Sequence, residues 1–169
     1  MRGITFVIIV VMDGTEALDR IKDHGRILVI SNISKFGNIC RLIIAALSHS
    51  FVPVLVGCSS ISTEKLFSVV GKDSDAQFHR VETLESLTKW LSDCGYAIIG
   101  IEITDASVDI TKMDTCSAGK VALMPGNEGL GLSNMQKDCC HRFVYVPQYS
   151  SSIESLNVAV ATTLVLNLM

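Results

Sequence analysis

The stretch Pro125-Gly126-Asn127-Glu128-Gly129-Leu130-Gly131-Leu132-Ser133 packs three glycines around a carboxylate. Glycines so close together permit positive φ and a close approach of backbone to a ligand, or a tight turn in which they only satisfy geometry. The spacing of Gly126, Gly129 and Gly131 is not the G-x-G-x-x-G of a dinucleotide site, and the Gly-Lys-Ser/Thr of a P-loop is missing. Glu128 would repel a phosphate there, so a neutral or cationic ligand fits better.

A second stretch, Asn32-Ile33-Ser34-Lys35-Phe36-Gly37-Asn38-Ile39-Cys40-Arg41, runs from an apolar segment into a helical pattern. Asn38 is placed to cap that helix, which puts Arg41 near its first turn, where the helix dipole favours anions rather than cations. Arg41 is either a solvated surface arginine or one held to meet a phosphate or an incipient alkoxide. In a third stretch, Ser155-Leu156-Asn157-Val158-Ala159-Val160-Ala161, Ser155 and Asn157 stand at the mouth of an apolar helix, as caps or as hydrogen-bonding groups of a site.

The elements that must position these groups are legible as apolar runs of strand length. They occur at Ile27–Ile30, Val52–Val56, Tyr96–Ile103, Val121–Met124 and Phe143–Val146. Their continuity suggests strands covered on both faces. Helical patterns lie between them at Asn38–Ser48, at Thr83–Cys94 with Gly95 as a stop, and from about Ser155 to the C-terminus, with Ser151 and Glu154 as a capping box and Ser155 as a competing cap. Strand and helix alternate, which is the α/β class. The spacing divides the chain into a short N-terminal extension, 1–26, and one domain, 27–169.

The chain has 169 residues, 49% of them hydrophobic and 18% charged, enough for one buried core and too apolar for a disordered chain. A formal charge of −3 argues against an electrostatic footprint over the whole surface. The six cysteines have no scaffold-like spacing and read as thiols of a reducing compartment, the cytoplasm or another. No apolar run reaches the length of a membrane span. Arg2 followed by Phe6–Val11 is read as a strand in preference to a secretory signal, and organelle targeting by the N-terminus stays open. Cys139-Cys140-His141 offers zinc-ligand types, but adjacent cysteines do not share a tetrahedral ion readily and no metal is expected. His79-Arg80 reads as a loop.

Taken together, in this order, the three stretches closely resemble the three motifs of the SpoU (TrmH-type) tRNA/rRNA ribose 2′-O-methyltransferases. The resemblance covers about Ile27 to Leu168. Asn32 to Lys35, Gly100-Ile101-Glu102-Ile103-Thr104-Asp105 and Val146-Pro147-Gln148-Tyr149 look like the plant-like eukaryotic branch. It implies an α/β, parallel-sheet SPOUT methyltransferase fold with a C-terminal deep trefoil knot. It also implies S-adenosyl-L-methionine as cofactor, bound by Thr104, Met124, Gly126, Asn127, Gly129, Gly131, Val146, Gln148 and Leu156. Arg41 is the implied catalytic residue, with Asn32, Ser155 and Asn157 as orienting groups and Glu128 supporting the pocket. The implied partners are a tRNA or rRNA substrate and a second copy, in a homodimer whose active site is shared across the interface.

Lys35, Arg41, Lys72, Arg80, Lys137 and Arg142 are the candidates for a local RNA-facing patch. The alternative to an enzyme is a non-catalytic module of the same fold that binds RNA or a partner.

Overall fold

The apolar runs form the middle of an all-parallel sheet. The computed structural model describes residues 18–70, 78–113, 119–150, 152 and 155–169. The strands are β1 (Arg26–Ser31), β2 (Val52–Val56), β3 (His79–Val81), β4 (Ala97–Ile101), β5 (Ser107–Asp109), β6 (Val121–Pro125) and β7 (Arg142–Tyr145). Their order is β3-β2-β1-β6-β4-β7-β5, with every pairing parallel. The helices are α1 (Phe36–Ser48), α2 (Thr63–Val70), α3 (Leu84–Asp93), α4 (Asn134–Cys139) and α5 (Val158–Leu168).

Side chains alternate across the pleat, so each central strand feeds two cores. Leu28, Ile30, Leu55, Ile99 and Leu123 pack with Ile39, Leu42 and Ile43 of α1 and Val165 and Leu166 of α5. Ile27, Val29, Val54, Ile98 and Ala122 pack on the other face with Leu87, Trp90 and Leu91 of α3. Strands buried on both faces explain why their sequences read as continuous apolar runs. Leu18 and Ile21, from the segment assigned to the N-terminal extension, are buried in this second core. The expected strand within Ile4–Met12 lies outside the described residues.

Several boundaries differ from the sequence expectation. α1 begins at Phe36, ahead of Asn38, and its N-cap position is Lys35, which makes no side-chain capping bond. Asn38 is therefore not the cap. α5 begins at Val158, where Asn157 accepts from the Ala159 amide at 2.9 Å, so Asn157 is the cap rather than Ser155. Ser151 and Glu154 of the expected capping box lie outside the described residues. α3 agrees, with Thr83 capping the Ser86 amide and Gly95 at φ +77°. β4 is shorter than the run Tyr96–Ile103, spanning Ala97–Ile101, and Tyr96 just before it donates its hydroxyl to the His24 carbonyl at 2.6 Å.

His79-Arg80 is not a loop but part of β3. Arg80 is buried, its guanidinium donating to the carbonyls of Cys58 at 2.9 Å and Ile61 at 2.7 Å, which removes it from any RNA-facing patch. Lys72 lies outside the described residues. His141 accepts from the Ile98 amide through Nδ1 at 2.9 Å, and the Cys140 thiol donates to the Gln136 carbonyl at 3.2 Å. Burial and the neighbouring Cys139 push the Cys140 thiol up to about 12, the opposite of a ready metal ligand. Among the described residues no group of three metal-ligating side chains occurs, Cys40, Cys58, Cys94, Cys139 and Cys140 are free thiols, and no helix is long and apolar enough to cross a membrane.

Candidate functional site

All three chemistry-bearing stretches leave the sheet at its carboxyl edge, where open parallel sheets place ligands. The Asn32–Arg41 stretch follows β1, the glycine loop follows β6 beside it, and the Ser155–Ala161 stretch enters α5, which packs on α1.

Glu128 joins the glycine loop to the start of α1. Its carboxylate accepts from the Ser34 amide at 3.2 Å, the Ser34 hydroxyl at 3.0 Å, the Lys35 amide at 3.1 Å and Asn38 Nδ2 at 2.9 Å. A helix with no side-chain cap of its own is thus capped by a carboxylate from another segment, at the positive end of its dipole. Burial of Glu128 pushes its carboxyl up, but the bonds from Asn38 and the amides of Ser34 and Lys35 outweigh it and hold the group at about 2.

Asn38, only 2% exposed, is the hub of the arrangement. While its amide donates to Glu128, its Oδ1 accepts from Arg41 at 3.2 Å and from Asn157 Nδ2 at 3.2 Å. One carboxamide therefore fixes Arg41, the Glu128 carboxylate of the glycine loop and Asn157 at the start of α5. The sequence reading missed this role because asparagine at a helix start is so readily explained by capping.

Asn127 shapes the loop itself. Its Oδ1 accepts from the amides of Gly129 at 2.9 Å and Leu130 at 3.1 Å, and its Nδ2 donates to the Asn32 carbonyl at 2.7 Å. Asn32 adopts φ +59°, so its contribution is a backbone carbonyl presented from a left-handed turn, with its side chain exposed.

Glu102, at the end of β4, is a second residue that the sequence reading passed over as a site residue. Its Oε2 accepts from the Leu132 amide at 3.1 Å, and a Cβ on either Gly126 or Gly131 would run into its carboxylate. Gly131 also has φ +67°. These two glycines are required by Glu102 and by turn geometry, whereas a Cβ on Gly129 would meet nothing closer than 3.9 Å. The available signal was a carboxylate directly after a fully apolar strand.

Between the glycine loop, the exit of β7 and the start of α5 lies a cavity of about 250 Å³. Of the expected residues, Gly126, Asn127, Glu128, Gly129, Gly131, Val146, Gln148, Ser155 and Leu156 line it. Met124 is fully buried in the core, and the Thr104 hydroxyl is paired with that of Ser107 at 2.8 Å, so neither reaches the cavity wall. Arg41, Asn32 and Asn157 stand beside the cavity through Asn38 and Asn127 rather than in its lining. Gln148 Oε1 and Thr162 Oγ1, both on lining residues, are buried without a hydrogen-bond partner among the described residues.

Residues 25–167 match the SpoU rRNA Methylase family. The chain belongs to this family. Among curated relatives, a Mycolicibacterium smegmatis protein named as an uncharacterized tRNA/rRNA methyltransferase is 28% identical over 81% of this chain and 42% of its own length. The 23S rRNA (guanosine-2'-O-)-methyltransferase RlmB of Coxiella burnetii is 36% identical over 50% of this chain and 32% of its own. The chain thus spans less than half the length of these relatives. Its fold is that of the SpoU methyltransferase AviRb from Streptomyces viridochromogenes, with TM-score 0.75, 23% identity and coverage of 89% of this chain and 61% of that one. It is equally that of an AdoMet-bound rRNA methyltransferase from Sinorhizobium meliloti, with TM-score 0.72, 24% identity and coverage of 88% and 58%.

Proposed function

We propose that this chain is a methyltransferase domain that uses S-adenosyl-L-methionine to methylate a ribose 2′-hydroxyl of tRNA or rRNA. The observation that carries the reading is the convergence of Arg41, Glu128 and Asn157 on Asn38 beside the cavity. Family membership supports RNA methylation, and the similarity to the Coxiella 23S rRNA (guanosine-2'-O-)-methyltransferase supports the 2′-oxygen as target.

The cavity suits the cofactor on its own chemistry. Buried polar atoms without partners are costly, and Gln148 Oε1 and Thr162 Oγ1 offer an acceptor and a hydroxyl to a polar ligand. The backbone of 126–131, Val146, Gln148 and Leu156 would hold it. When bound, it supplies an electrophilic methyl group.

A ribose hydroxyl is a weak nucleophile, so the protein must position it and stabilise the charge that develops as its proton leaves. Arg41 carries that role, its exposed guanidinium held by Asn38 at 3.2 Å and assisted by a phosphate of the RNA, and the proton leaves to solvent. Glu128 is not the base: with a carboxyl at about 2 and four donors on it, it anchors the site as a permanent acceptor. Ser155, from the cavity wall, Asn157 and the Asn32 turn orient the substrate.

The reading includes a homodimer in which Arg41 completes the partner's site, supported by the exposure of Arg41 and its position outside the lining of its own cavity. It includes a trefoil knot formed by the segment after β7, membership of the plant-like branch, and a reducing compartment.

The test is incubation of the protein with methyl-labelled cofactor and bulk tRNA or rRNA, followed by digestion to nucleosides. The expected product is a 2′-O-methylnucleoside, with Arg41→Ala lowering the rate by about 100-fold or more. Cofactor binding without transfer to any RNA would assign the chain to a non-catalytic module instead.

A further inference from the structure

Among the described residues, the cavity at the glycine loop is lined by two carboxylates and by no lysine, arginine or histidine. Glu128 has its oxygens engaged by Ser34, Lys35 and Asn38. Glu102 is different. Among the described residues only its Oε2 has a donor, the Leu132 amide at 3.1 Å, and neither ion pair involves it. Its backbone is pinned, the amide donating to the Val144 carbonyl at 3.0 Å and the carbonyl accepting from the Ser107 hydroxyl at 2.7 Å. Its carboxylate rests against Gly126 and Gly131, where any side chain would displace it. Gln148 Oε1 adds a buried acceptor to the same wall.

A wall of acceptors with a negative charge and no cation among the described residues attracts a ligand that carries positive charge. We propose that Glu102 selects the charge state of the cofactor, favouring the sulfonium of S-adenosylmethionine over the neutral thioether of S-adenosylhomocysteine. The two ligands share every other group except the methyl, so the field of Glu102 acts on the difference between them. The consequence is easier release of the spent cofactor and weaker product inhibition. The proposal rests on the cofactor reading above and adds a specificity-determining residue to it.

The test is calorimetric titration of the full chain and of Glu102→Gln with each ligand separately, with thermal unfolding of both proteins as the check on folding. The glutamine keeps an oxygen for the Leu132 amide and removes only the charge. The wild-type protein is expected to bind S-adenosylmethionine about tenfold more tightly than S-adenosylhomocysteine, the scale of one partly screened charge pair. In Glu102→Gln, S-adenosylmethionine weakens by about tenfold and S-adenosylhomocysteine changes by less than about twofold. Equal wild-type affinities, a comparison that needs no variant, would overturn the proposal and leave the cofactor reading standing. So would a preference that survives in Glu102→Gln. Failure of both ligands to bind would overturn the cofactor reading and the proposal with it.

Discussion

Asn38 donates to Glu128 at 2.9 Å across 90 residues of sequence, and this bond ties the start of α1 to the glycine loop. Because the same side chain accepts from Arg41 and Asn157, the geometry of the site depends on one buried carboxamide. Removing it leaves a carboxylate and a guanidinium each short of a partner. Asn38→Ala is expected to destabilise the fold by about 2 kcal/mol, in the range for buried hydrogen bonds to charged groups, and to lower methyl transfer at least about tenfold. Urea denaturation and single-turnover transfer rates check the two effects.

Glu128 gives a pH dependence with a definite sign. Its carboxyl is held at about 2, below the ordinary 4.5, so the folded state binds this proton more weakly than the unfolded chain does. Its contribution is therefore fully present above about pH 4.5 and is lost as pH falls toward 2. The stability advantage of wild type over Glu128→Gln should be flat from pH 7 to pH 5 and close between pH 4.5 and pH 2. Solvent around the carboxylate keeps the gap smaller than the shift alone implies. Urea midpoints across that range decide it, and a gap that widens on acidification would contradict the assignment.

The glycines of the loop should separate sharply. Gly131→Ala meets both a positive φ of +67° and the Glu102 carboxylate, and is expected to cost about 2 kcal/mol or more. Gly129→Ala meets only Asn127 Oδ1 at 3.9 Å and should stay within about 0.5 kcal/mol of wild type. Thermal or urea unfolding of the two variants is sufficient. Equal losses would mean that Glu102 is not what the loop is built around.

The central strands were readable because burial on both faces leaves an uninterrupted apolar run, as in Val52–Val56. β3 and β5 were not, being three residues long and carrying His79, Arg80, Ser107 and Asp109. Arg80 is tolerated inside because two backbone carbonyls from the loop after β2 receive its guanidinium, a partnership that local sequence does not encode. The three chemistry-bearing stretches were legible by residue type and order. What joins them was not. Asn38, with its link to Glu128, and Glu102, with its fit against Gly126 and Gly131, act across the chain, and local capping or turn chemistry explains each residue equally well until the sheet brings them together.

The most direct test of the central claim is calorimetric titration of the purified chain with S-adenosylhomocysteine, run alongside Arg41→Ala. The account predicts one site per chain, with the same affinity in both proteins, because Arg41 lies outside the cavity lining and acts on the substrate. A folded protein that takes up no S-adenosylhomocysteine would contradict it.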